Sequence, residues 1–360
     1  QVPGYYRAAF GDFEVTALFD GVVPLAPGLL KGLAADEIQT LLARMFLETT
    51  PGVQTAVNAF LIHTGQKLVL VDAGAAACFG PTLGRIQDNL KAAGYRPEQV
   101  DTVLLTHMHA DHTGLVTRLA TQTSRIFFSR IDARVFDGDH GWQSLVDFAE
   151  RNGFPAEELQ KALASHPGFK YSPQKMPVFT LLDDGDVIEC GNYRLRCIAT
   201  PGHTQGHICL YEEDQKIFFS GDHVLFDITP HIESWAYETN SLADYMASLD
   251  KVSHLAVDLV LPGHRNFQGD LKSRIDALKI HHRERAEEVL EVLGNKTLNA
   301  YEIAAGMTWD IDCETWEDFP IAQKWFATGE AIAHLRYLEG EGRISRDAGQ
   351  KIVTFSAVRP

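Results

Sequence analysis

Thr106-His107-Met108-His109-Ala110-Asp111-His112-Thr113-Gly114 directly follows the apolar run Val103-Leu104-Leu105 and brings three imidazoles and a carboxylate together within six residues. This density of borderline ligands suits zinc or a similar divalent ion, and two ions would use it better than one. If Val103 to Leu105 end a buried strand, the turn after it fans His107 and His109 to one side, while Asp111 and His112 open the next helix and face another. Asp111 also fits the plainer role of a helix cap. Beside three histidines, and with Gly114 permitting close helix packing, metal ligation is the stronger reading.

Later segments repeat the arrangement of an apolar strand, a glycine and a candidate ligand. Thr200-Pro201-Gly202-His203-Thr204-Gln205-Gly206-His207 follows a strand ending at Ala199 and offers His203 as a third imidazole for His107 and His109, with His207 read as structural. Phe218-Phe219-Ser220-Gly221-Asp222 ends on a carboxylate, and Val260-Leu261-Pro262-Gly263-His264 ends on a histidine. Strand ends at one sheet edge thus present His107, His109, Asp111, His112, His203, Asp222 and His264, enough for two metals bridged by Asp222 and a water.

Such ligands need many strands ending on a common edge. Candidate strands are Glu14 to Leu18, Ala56 to His63, Leu68 to Val71, Thr102 to Leu105, Arg125 to Phe128, Arg194 to Ala199, Ile208 to Tyr211, Lys216 to Ser220 and Leu259 to Leu261. That is many for one sheet, so the expected fold class is α/β, two sheets face to face with helices outside, an αββα sandwich over residues 1–269. Residues 131–177 turn helical and aromatic, read first as the ordinary core of a helical excursion, with the wall of a pocket as the alternative. Residues 270–360 read as a winged-helix-like appendage, with helices Leu271 to Leu293, Leu298 to Met307 and Ile321 to Glu339, a turn at Gly340 to Ser345 and a strand at Lys351 to Phe355.

The 360 residues, 45% of them hydrophobic, can bury a large core, and the net charge of −16 opposes binding to phosphate backbones. Residues 270–360 carry 12 Lys and Arg against 16 Asp and Glu, so packing or dimerisation suits the appendage better than reading DNA. The five cysteines are scattered and form no Cys-x-x-Cys pair, which points to neither a disulfide framework nor a thiolate zinc site. No run of 18 apolar residues occurs, so no membrane partner is expected. The chain begins at Gln1; a cytoplasmic location is the expectation, and a removed leader with a periplasmic location the alternative.

His-x-His-x-Asp-His, Pro-Gly-His-Thr-x-Gly-His, Gly-Asp-His, Pro-Gly-His and Leu70-Val71-Asp72-Ala73-Gly74 occur in the order in which the metallo-β-lactamase superfamily carries them, and the chain resembles that superfamily. The resemblance implies that His107, His109 and His203 hold one metal, Asp111, His112 and His264 the other, with Asp222 between them and Asp72 orienting the ligand loop from behind. Pro3-Gly4-Tyr5-Tyr6-Arg7, Gly11 to Leu18 and Phe79-Gly80-Pro81-Thr82-Leu83-Gly84-Arg85 look like the methyl parathion hydrolase and lactonase-like group. Ala300 to Ala304 and Gly329 to Leu335 look like the winged-helix extension of β-lactamase-like hydrolases. Asp222, where some zinc β-lactamases have cysteine, points to lactonase, glyoxalase and phosphodiesterase branches, and His109, where diiron members have Glu, speaks against redox chemistry. Leu225 stands where acyl-homoserine lactonases carry a tyrosine, which weakens that reading.

The expected function is dinuclear metal-dependent hydrolysis of a small carboxylic ester, lactone or thioester by a metal-bridging hydroxide, with Asp111 and Asp222 catalytic. Alternatives are phosphotriester or phosphodiester hydrolysis and RNA processing. Zinc is the expected metal, although manganese, iron or cobalt suit the same donors. Phe226, His231 and Trp235, just after Asp222, are the candidate substrate contacts, and a small-molecule substrate and a homodimer the expected partners.

Overall fold

The computed structural model describes residues 4–25, 34–44, 53–76, 78, 80–136, 141–171, 177–266, 269–311 and 313–358. Pro3 and Phe79 of the stretches singled out above, and residues 137–140 and 172–176 of the helical excursion, lie outside the described residues.

Two sheets carry the larger part of the chain. The first is built from β1 (Tyr5–Phe10), β2 (Phe13–Leu25), β3 (Val53–His63), β4 (Leu68–Val71), β5 (Thr102–Leu104), β6 (Arg125–Ser129) and β7 (Thr180–Leu182), in that spatial order. Strands β1 to β4 form an antiparallel meander, and β4 to β7 run parallel. The second contains β8 (Val187–Cys190), β9 (Tyr193–Ala199), β10 (Ile208–Glu212), β11 (Ile217–Gly221) and β12 (Leu259–Pro262), ordered β12-β11-β10-β9-β8.

The residue pattern explains the layering. Strand β4, Leu-Val-Leu-Val, is apolar on both faces: Val69 and Val71 meet Phe60, Leu210 and Phe219 between the sheets, while Leu68 and Leu70 meet Ile86, Leu90 and Val116 under the outer helices. A strand with two apolar faces is stable only when covered on both. On the far side, Cys209, Tyr211, Phe218 and Val260 pack against Leu242, Tyr245 and Leu249 of helix Ser241–Ser253. The result is the expected αββα sandwich.

Several elements are longer, shorter or additional to the expectation. Strand β2 continues to Leu25, and β1, β7, β8 and helix Ser241–Ser253 were not anticipated; the helix is capped by Asn240, which accepts from Ala243 N at 3.2 Å. At the C-terminal end, helices Leu271–Leu293, Ala300–Gly306 and Ile321–Gly340 pack with a small sheet of β13 (Thr297–Leu298), β14 (Ile344–Asp347) and β15 (Thr354–Ala357). The last strand starts at Thr354 rather than Lys351, because Gly349 N donates to Asp347 Oδ1 at 2.8 Å and lengthens the turn before it.

Strands β4 and β5 run parallel, as do β11 and β12, so their C-terminal ends meet at one edge. There the sheets are stitched by backbone bonds from Ile208 N to Thr106 O and from Asn58 N to Gly263 O, both 2.9 Å. Two buried carboxylates hold the loops at this edge. Asp20 accepts from Ala75 N, Gly84 N and Ile86 N at 2.8, 3.2 and 3.1 Å. Asp132 accepts from Met108 N, Gly206 N and Thr204 Oγ1 at 3.0, 2.7 and 2.7 Å, joining the His107 loop to the His203 loop. Burial pushes the Asp132 carboxyl up, against these donors, to about 6.

Asp20→Ala leaves three buried N–H groups without an acceptor and is expected to cost about 2–4 kcal/mol in denaturant unfolding. Asp132→Asn turns an amide N–H₂ toward existing donors; we expect a loss of about 1–3 kcal/mol, and wild-type stability would show that this junction holds nothing.

Candidate metal centre

The centre assembles from five strand ends. Asp72 follows β4, His107 to His112 follow β5, His203 follows β9, Asp222 follows β11 and His264 follows β12. His109 is the residue before the short helix Ala110–Thr113, so Asp111 and His112 project from its first turn. Glycines make room for the convergence. A Cβ on Gly263 would lie 2.5 Å from Asp222 Oδ1 and 2.7 Å from His112 Cε1, and one on Gly114 would lie 2.6 Å from the Ala75 backbone.

Three overlapping groups bring their ligand atoms within 4.8 Å of one another: His107, His109 and His203; His107, His112 and Asp222; and Asp111, His112 and His264. Asp222 links them, its carboxylate oxygens lying 3.5 Å from His112 Nε2, 3.6 Å from His203 Nε2 and 3.1 Å from His264 Nε2. His264 Nε2 is also 3.2 Å from Asp111 Oδ2. All seven residues expected to carry the chemistry therefore meet in one place.

Hydrogen bonds behind the rings select the tautomers. Nδ1 of His112 lies 2.8 Å from Asp72 Oδ2, Nδ1 of His203 lies 2.7 Å from the His231 carbonyl, and Nδ1 of His264 lies 3.0 Å from the Ala56 carbonyl. Each of these oxygens accepts, so each Nδ1 carries the hydrogen and Nε2 is turned toward the cluster. Asp72 itself is held by Thr106 N at 2.8 Å, with its backbone at φ 61°, a conformation Asp tolerates better than most residues. His207 does not join the cluster: Nδ1 meets Thr200 Oγ1 at 2.8 Å and Nε2 accepts from Asp222 N at 3.1 Å, so it braces the loop that carries Asp222.

The electrostatics divide the imidazoles. Burial holds His107, His109 and His203 below the usual imidazole range, His109 at about 3. Burial acts in the same sense on His264 and His112, but Asp222 with Asp111, and for His112 also Asp72, overcomes it and raises both, His264 to about 10. Asp111 and Asp222 are held ionised against burial by those same two rings. The donor set fits divalent cations: the buried Nε2 atoms of His107 and His203 have no hydrogen-bond partner among the described residues, and the buried carboxylates call for positive charge.

A cavity of about 600 Å³ opens on His109, Asp111, His203 and Asp222. Its walls come from the helical excursion, with Phe136, Trp142 and His166; from the loop after β11, with His231, Glu233 and Trp235; and from helix Ile321–Gly340, with Gln323, Trp325 and Phe326. Of the three expected substrate contacts, His231 and Trp235 line it. Phe226 does not; it packs against the core around Tyr245 and Leu249, in a stretch whose Leu225 and Ile228 carbonyls are bound by Arg274. His231 sits between Glu233 at 3.4 Å and Glu330 at 3.6 Å, and these carboxylates outweigh burial to raise it to about 10.

Asp132, Glu233, Trp325 and Glu330 were not singled out from the sequence. Asp132 and Glu233 lie close in sequence to segments that were, but nothing in their own spacing marks them. Trp325 and Glu330 reach the site from more than one hundred residues beyond Asp222, on a helix whose sequence reads as ordinary packing.

Residues 52–264 match the family model of the metallo-beta-lactamase superfamily, and residues 317–358 match that of the metallo-beta-lactamase-like C-terminal domain. The chain is 26% identical over 226 residues to the acyl-coenzyme A thioesterase MBLAC2 of Homo sapiens, a match covering 59% of this chain and 74% of that one. It is 29% identical to the atrochrysone carboxyl ACP thioesterase of Aspergillus fumigatus, over 66% of this chain and 60% of the fungal protein, less than two thirds of its length. Among solved structures, a metallo-beta-lactamase family protein of Thermus thermophilus superposes with a TM-score of 0.70 at 25% identity, covering 99% of both chains. With a family match spanning more than half of its length, and with hydrolases among its relatives, this chain belongs to the metallo-β-lactamase superfamily of hydrolases.

Proposed function

We propose that the protein is a dinuclear metal-dependent hydrolase of a small thioester or carboxylic ester, with thioesters the preferred class. The observation that carries this reading is the convergence of three interlocked ligand groups at the floor of an apolar cavity. His107, His109 and His203 would hold one ion and Asp111, His112 and His264 the other, with Asp222 shared. The resemblance to two proteins named as thioesterases supports the choice of substrate class.

Divalent ions bound here would supply a water acidic enough to ionise near neutral pH and positive charge for the developing oxyanion. The side chains do the rest. Asp72, through His112 Nδ1, and the His231 and Ala56 carbonyls, through His203 and His264, keep the ligating nitrogens aimed and the rings from rotating. Asp111 lines the cavity with Oδ2 3.2 Å from His264 Nε2, so its carboxylate stands where it can accept a hydrogen bond from the attacking water and orient it. A thiolate, with a pKa of about 8.5, leaves with little help, which suits a site whose buried carboxylates are kept charged. The aromatic walls make the surroundings of the floor largely apolar, which strengthens the charge interactions there.

Purified protein loaded with zinc is expected to hydrolyse acyl thioesters in preference to aryl acetates, lactones and paraoxon-type triesters; equal inactivity on all four would reject the reading. Asp222→Ala should lose about two ions per chain by elemental analysis together with at least about a hundredfold of kcat/KM, and full turnover without metal would overturn the mechanism. Because His112 and His264 are held protonated at pH 7 and must free Nε2 to bind a cation, zinc added to metal-free protein should release about two protons from these rings and about one more from the water it acidifies, read with a pH dye in weak buffer. The release should fall as pH rises through about 10, where His264 is already neutral.

A further inference from the structure

The cavity above the metal centre is larger than the chemistry at its floor requires. Its volume, about 600 Å³, is that of a site for a whole small molecule. A run of ring contacts leads away from the centre. His203 is bound to the His231 carbonyl; the His231 ring lies 5.4 Å from Phe326, Phe326 lies 5.5 Å from His166, and His166 lies 5.9 Å from Trp325. Trp325 then stacks on Trp235 at 4.2 Å and 24°. Trp325, only 1% exposed, also packs with Phe154, Val146 and Leu159 of the helical excursion, so this stretch of the wall is backed by core.

We propose that this cavity receives the acyl group of the substrate, an extended apolar chain, and that Trp325 of the C-terminal helix closes its end and sets the length accepted. The proposal rests on the hydrolase reading above and adds to it the identity of the acyl arm and of the residue that measures it. The bond broken is the acyl C–S or C–O bond and the bond formed is C–O from water; a carboxylate and a thiol or alcohol leave, with no redox change. The C-terminal unit is thereby part of the substrate site rather than an appendage to it. The charged groups at the wall, Glu233 and His231, are already paired with each other, which leaves the aromatic faces as the surface offered to the chain.

The test uses zinc-loaded full-chain protein and N-acetylcysteamine thioesters from acetyl to hexadecanoyl, with binding of dodecanamide followed in parallel by tryptophan fluorescence. In the wild type kcat/KM should rise by about fourfold for each methylene until the cavity is filled, and then level off. Trp325→Ala should move that break to longer chains, raising the hexadecanoyl to octanoyl ratio by about tenfold or more. Trp325→Phe keeps a ring in the core and should move it less in the same direction, and circular dichroism establishes which variants fold. A flat profile in an active wild type, or an unshifted break in a folded variant, overturns the proposal and leaves the hydrolase reading standing. Saturable dodecanamide binding that Trp142→Ala weakens, in a protein that hydrolyses none of the esters, supports the cavity assignment and rejects the reaction.

Discussion

The structure is organised around a buried excess of negative charge. Asp72, Asp111 and Asp222 lie at the meeting edge of two apolar sheets, each nearly inaccessible to solvent or half-buried. An ionised carboxylate in such surroundings costs several kcal/mol unless cations or donors surround it. Five imidazoles within ligand distance meet that demand, and they divide: burial keeps His107, His109 and His203 neutral, while His112 and His264 take charge from the carboxylates they face. A cluster that holds this much charge in a nonpolar interior has the electrostatics of a cation site.

Holding those groups together is the task of the surrounding scaffold. The loops that bear them come from both sheets, so the sandwich must be locked at that edge. Backbone bonds between Ile208 and Thr106 and between Asn58 and Gly263 do so directly. Asp132 and Asp20 do so from underneath, each saturating three donors on loops that precede or carry the site. His207, with both ring nitrogens engaged, fixes the backbone at Asp222. Asp20, Asp132 and His207 do not line the cavity, yet each helps set where a group of the cluster stands.

Above this floor the protein is of a different character. The excursion between β6 and β7 and the helix Ile321–Gly340 pack on each other through Trp325, Phe154 and Leu159 and supply most of the aromatic wall. His231 ties the levels together, its carbonyl orienting His203 and its ring bridging Glu233 and Glu330. Floor and wall thus differ in origin, the floor from strand ends and most of the wall from helices, and both His231 and Asp132 join them.

Much of the floor was legible in the chain itself. Histidine or aspartate at the end of an apolar strand is a local pattern, with glycine just before the ligand at His203, Asp222 and His264, and its recurrence there and at His107 to His112 needed no coordinates. The αββα layering followed from the number of candidate strands, too many for one sheet. The wall was legible only in part: the 131–177 excursion, His231 and Trp235 were expected near the site and line the cavity, but Trp325, Glu330 and Asp132 look like ordinary core or surface residues until a long-range contact gives them a partner. The same limit misplaced Phe226, whose neighbourhood in sequence to Asp222 says nothing about the side toward which Arg274 pulls its loop. The candidate ligand set is written in short spacings, so the sequence by itself determined that set and the layers. The shape, depth and lining of the cavity depend on packing between segments far apart in the chain, and only the tertiary structure decided them.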